Sequence, residues 1–131
     1  MTKRGAVLGL ALAAAGCAAA AADEACPAKS RGYDEIVAAI SAAPGCARAF
    51  DVMNACLFAA SGDVGLAKAV EDKCEPVFLA KLSPARRRAY AAAGARCRGK
   101  YSNEQGSMVV SFAATCEARL ARDYAARYGA R

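Results

Sequence analysis

The sequence predicts an all-α fold, a small disulfide-stapled bundle of four to five helices. Three observations predict it. Apolar residues recur at steps of three and four through most of the chain, and no segment alternates with period two for long enough to make a strand. Six cysteines follow an N-terminal apolar leader, an even number in a short chain. Alanine is the commonest side chain, and it favours helix while burying little apolar area, so cross-links must compensate for a thin core.

With 131 residues there is room for one domain. Residues 1–22 read as a secretory signal peptide and residues 23–131 as the Cys-rich helical domain. Lys3 and Arg4 form a positive head, 6–15 is an apolar run shorter than a typical membrane span, and Ala20, Ala21 and Ala22 precede Asp23. A second layout overlaps it. Ala14-Ala15-Gly16-Cys17 resembles a lipoprotein signal box ending at Gly16, with Ala14 where such boxes usually carry Leu. Lipidation of Cys17 would tether the domain to a membrane. Both cleavage sites stand as alternatives, and both imply export to the periplasm or outer cell envelope. The full chain carries +6; without Lys3 and Arg4, 16 basic and 12 acidic residues leave +4. That mild charge specifies no partner.

The elements follow in chain order. Cys26-Pro27 and the Ser-Arg-Gly step at 30–32 read as an irregular arm pinned by one bridge. Tyr33, Ile36, Val37 and Ile40 share one face of a short helix that Pro44-Gly45 ends. Residues 45–61, GCARAFDVMNACLFAAS, place Cys46, Ala49, Phe50, Met53, Cys56, Leu57 and Ala60 on a single stripe. On a continuous helix Cys46 and Cys56 lie ~15 Å apart, too far to bond each other. Each therefore reaches a different element, and the helix is a double anchor.

Asp63 is the expected N-cap of the next helix, with Leu66, Val70 and Cys74 on one side and Pro76 interrupting it or starting a new turn. Val77, Phe78, Leu79 and Leu82 make an apolar patch beside it. Ser83-Pro84 is a start signal, Ser as cap and Pro in the first turn. The helix it opens runs towards Lys100 with Tyr90, Ala93, Cys97 and Tyr101 on its stripe, and Gly94 weakens it without breaking it. A polar loop, GKYSNEQG, leads to a last helix from about Ser107 to Tyr128. Its expected buried face is Val109, Phe112, Ala113, Cys116, Leu120 and Tyr124.

Chemistry is limited by what is missing. There is no His, so most metal sites and the Ser-His and Cys-His nucleophile pairs are absent. No close Cys-x-x-Cys pair suggests zinc or thiol–disulfide catalysis, and the second half of a twin Cys-x9-Cys hairpin is lacking. No cofactor and no metal are expected. Glu71 and Glu75 read as solvated surface. Arg86, Arg87 and Arg88, with Arg96, Arg98 and Lys100, read as a solvated basic surface; the triplet sweeps ~200° of helix and forms no tidy stripe. Nucleic acid is not expected as a partner outside the cytoplasm. No catalytic constellation is visible. Composition alone leaves the pairing of Cys26, Cys46, Cys56, Cys74, Cys97 and Cys116 open among fifteen schemes.

The segment from Cys46 through Met53-Asn54-Ala55-Cys56 resembles the cysteine and Met-Asn-x-Cys signature of the LprI-type lysozyme-inhibitor domain, a family of small secreted or lipid-anchored bacterial proteins. Asp63 and Leu66 match further positions, where Ala67 and Val70 replace Asn and Tyr. Arg87, Tyr90, Cys97, Gly106-Ser107, Cys116, Arg119 and Leu120 match its later pattern, so the likeness covers about 46–120. The resemblance implies that Cys46, Cys56, Cys97 and Cys116 pair among themselves, which leaves Cys26 with Cys74. Two schemes then remain: 46–97 with 56–116, or 46–116 with 56–97.

It also implies a binding module that blocks lysozyme-type muramidases. Their clefts hold a carboxylate pair, and Arg98, Lys100, Tyr101 and Ser102 are the residues expected to occupy one. Long-range repulsion between a +4 chain and a basic lysozyme opposes this. The alternative is a structural or scaffolding envelope protein without inhibitory activity, recognisable by an exposed apolar patch. An enzyme would need a cleft with strongly perturbed carboxylates.

Overall fold

The computed structural model describes residues 25–130. The expected signal segment, Cys17 and the expected alternative cleavage sites lie outside them. The described residues form helices α1 (Tyr33–Ala42), α2 (Cys46–Cys56), α3 (Asp63–Phe78), α4 (Pro84–Gly99) and α5 (Ser107–Tyr128), with a 3-10 turn at Leu79–Lys81 after α3. No strand occurs among them, and no helix is long and apolar enough to cross a membrane.

The centre of the bundle is the α3–α5 pair, the most extensive contact in the molecule. The two helices run parallel: Asp63 meets Ser111 at one end, and the Phe78 and Tyr124 rings lie 5.7 Å apart at the other. α1 and α2 cover α3 on one side, and α4 lies along α5. The largest fully buried apolar side chains are Phe78, Ile36, Ile40, Met53, Leu66 and Val70, all from α1 to α3.

From α5 the core receives small groups. Its buried residues are Ser111, Ala114, Ala118, Ala121 and Ala125, spaced alternately by three and four. This corrects the expected face. Val109, Ala113, Cys116, Leu120 and Tyr124 are half-buried at its margins, and Phe112 is 49% exposed. The reason is steric. A stripe of methyl groups lets the α5 backbone approach α3 closely, and the larger residues sit beside the seam.

α2 ends earlier than its apolar stripe suggests, at Cys56, and 57–62 is a loop. Asp63 causes this. Its carboxylate accepts from the backbone N–H of Phe58 at 2.9 Å and of Ala60 at 3.3 Å, taking both from helical bonding. The same contacts correct its expected capping role: Asp63 is the first residue of α3, and its side chain reaches back into the preceding loop. Arg31 then donates to the Leu57 carbonyl, 3.1 Å away.

α3 continues through Pro76 for two more residues. Proline here lacks the N–H that would bond the carbonyl of Asp72, an exposed residue in contact with water. Ser83 caps α4 as its sequence suggests, accepting from Arg86 N–H at 3.3 Å, and Pro84 stands in the first turn.

Disulfides join Cys26 to Cys56, Cys46 to Cys74 and Cys97 to Cys116. The double-anchor reading holds, because Cys46 is tied to α3 and Cys56 to the N-terminal arm. The pairing implied by the family resemblance is overturned: none of its bridges forms. Each actual bridge joins nearby segments, 19 to 30 residues apart in sequence, whose loops cost less entropy to close than distant ones. The result is two separately stapled blocks. Arm, α1, α2 and α3 make one, and α4 with α5 makes the other. Among the described residues no disulfide crosses the α3–α5 seam.

Candidate functional site

Three segments meet at the end of the bundle where α3 and α5 begin. The 57–62 loop is shaped by Asp63, whose carboxylate holds the N–H groups on either side of Ala59. Ala59 adopts φ +55°, a left-handed conformation unusual for a residue with a Cβ. α5 supplies Phe112, Thr115 and Arg119, one face at spacings of three and four. The third segment, 98–106, returns over α5 because Cys97, buried on α4, is bonded to Cys116. Gly106 makes the final turn into α5 with φ +117°, a conformation that favours glycine.

Together they enclose a groove of about 400 Å³ lined by Leu57, Ala59, Lys100, Tyr101, Phe112 and Arg119, with Thr115, Ser111 and the Cys116 end of the bridge. The Tyr101 and Phe112 rings are tilted at 43° with centroids 5.9 Å apart. The Lys100 ammonium lies 5.2 Å from the Tyr101 ring centre. The lining is thus aromatic with cations beside it.

The expected contact residues divide. Lys100 and Tyr101 line the groove. Arg98 is ion-paired with Glu117 across α4 and α5. Ser102 turns its hydroxyl to the Gly99 carbonyl, 2.9 Å away, and so closes the end of α4. Both therefore make contacts within the fold, and neither lines the groove. Sequence reasoning missed Phe112 and Arg119 as groove residues. Once the small stripe from Ser111 to Ala125 is the buried face, Phe112 is excluded from the core and Arg119, seven residues on, is turned the same way.

A second group of ionisable residues lies between α3, α4 and α5. Glu71 and Glu75 are half-buried, not fully solvated. Burial pushes the Glu71 carboxyl up to about 7, and the nearby Glu117 and Glu75 charges add to the shift. Tyr90 donates its hydroxyl to Glu75 at 3.0 Å, and burial first, then Glu75, raises its pKa above the ordinary range. Among the described residues no cluster of His, Cys, Asp or Glu is arranged to hold a metal ion.

No family model, no curated protein and no solved structure matches this chain.

Proposed function

We propose that this is an exported cell-envelope binding protein that blocks a lysozyme-type muramidase, with Lys100 and Tyr101 as its principal contacts. Three disulfides suit a non-reducing, exported compartment. The motif resemblance supplies the partner class, and Cys17 would supply a lipid tether. One observation carries the reading: a cation and an aromatic are presented together on a loop that the Cys97–Cys116 bridge fixes to α5. Such a pair suits the carboxylate-lined cleft of a glycosidase. Arg98 and Ser102 support the loop from behind.

The test is an inhibition assay of the oxidised protein against a lysozyme-type muramidase over a range of salt. Inhibition at micromolar protein, reduced by Lys100→Ala and Tyr101→Ala, is the expected outcome. Its absence at every salt concentration removes the proposal.

A structural, non-inhibitory envelope role is the second reading. Met108 and Phe112, one turn apart on the same face of α5, are 55% and 49% exposed, an apolar surface of the kind such a role needs. Protein association that survives Lys100→Ala but is lost in Met108→Asp would favour it.

A further inference from the structure

The groove beside α5 carries a chemistry that a protein–protein contact does not require. Arg119 lines it and has no ion pair or hydrogen bond among the described residues. Lys100 lines it too. Asp63 accepts from Phe58, Ala60 and Ser111, Glu117 is paired with Arg98, and Glu104 is exposed on the 98–106 loop. No carboxylate is among the described residues that line the groove, and Thr115 adds a hydroxyl beside its two cations. The tilted Tyr101–Phe112 pair is part of the same lining and offers aromatic surface to a flat or ring-shaped body.

An arginine fork, an ammonium and two rings in a concavity define one ligand chemistry. We infer that the groove binds a small carboxylate carried on a ring. Arg119 and Lys100 hold the carboxylate, and Tyr101 and Phe112 take the ring. About 400 Å³ is room enough for one such ring. The inference does not rest on muramidase binding, since its ligand is a free small molecule and two of its four principal residues lie outside the 98–102 loop.

Two-dimensional NMR of the oxidised protein tests it, following Tyr101, Phe112, Thr115 and Arg119. The probes are benzoate, N-acetylmuramic acid and N-acetylglucosamine, the last a sugar ring without a carboxylate. Saturable shifts confined to the groove are expected with at least one of the two acids and not with N-acetylglucosamine. Which acid binds decides between a flat aromatic and a sugar acid. Arg119→Gln weakens binding about tenfold, whereas Arg127→Gln, exposed and outside the groove, leaves it unchanged. Three results overturn the inference: no saturable shift with either acid at about 10 mM, equal binding of N-acetylglucosamine, or undiminished binding by a folded Arg119→Gln. Loss of muramidase inhibition alone leaves it standing.

Discussion

Ser111 of α5 donates its hydroxyl to Oδ2 of Asp63, the first residue of α3, over 2.5 Å. Both side chains are buried, and the carboxylate also accepts from Phe58 and Ala60. One side chain therefore fixes the loop that walls the groove and joins the two stapled blocks where no disulfide does. Removing it strands the buried Ser111 hydroxyl and two half-buried N–H groups. Asp63→Ala is expected to lower stability by about 2–4 kcal/mol in urea unfolding, and Ser111→Ala by about 1–2 kcal/mol. A double-mutant cycle should show strong coupling; additive losses would mean the pair does not act as a joint.

Elsewhere the seam depends on the size of alanine. Ala118 and Ala121 are fully buried on the face of α5 that contacts α3. Ala118→Leu forces the parallel pair apart and is expected to cost at least 1–3 kcal/mol. Ala126→Leu, on the exposed side of the same helix, should change stability by no more than about 0.5 kcal/mol. Equal midpoints for the two variants would show that close approach is not what holds α3 to α5.

That seam also marks the limit of what the sequence discloses. Helix number, the Ser83-Pro84 start and the extent of α5 follow from local signals, because capping and periodicity act within a few residues. The buried face of α5 does not. Periodicity favours the stripe with Phe112 and Leu120, and only the close packing of a neighbour selects the alanines. Loop 57–62 was hidden for a similar reason: Asp63 competes for N–H groups that the apolar stripe assigns to the helix. Bridge pairing depends on which segments are neighbours, and spacing shows only that Cys46 and Cys56 are not partners. Half of the expected contact set reached the groove, since Arg98 and Ser102 found nearer partners in Glu117 and Gly99.

The half-buried Glu71 gives stability a pH dependence of definite sign. Its carboxyl titrates near 7 in the fold, raised by burial, Glu117 and Glu75, against an ordinary value of 4.5. Between these two values the native state keeps a proton that the unfolded chain has lost. This contribution to stability therefore falls as pH rises through that window and stays low above it. Partial exposure to water limits the effect to about 1–2 kcal/mol. Glu71→Gln should raise the urea midpoint at pH 8 and leave it nearly unchanged at pH 4. A variant less stable than the native protein at pH 8 would mean that a lost contact outweighs relieved repulsion.

Loss of the Cys97–Cys116 bridge should be felt locally first. α4 packs along α5, and the bridge is its covalent tie to that helix; Tyr90 adds a ring contact to Phe78 at 5.1 Å. Arm, α1, α2 and α3 retain both of their own disulfides and their large core residues. Replacing both cysteines by serine removes a constraint on a 19-residue separation, about 3 kcal/mol in the chain-entropy model. Hydrogen exchange reads where that loss appears. Amides of α4 and the 100–106 loop should exchange faster, while those buried in α2 and α3 keep their protection. Groove signals from Tyr101 should broaden or shift with the loop, because the bridge holds it over α5. Uniform loss of protection would instead mean that the two stapled blocks unfold as one unit, with the seam as strong as the covalent links on either side.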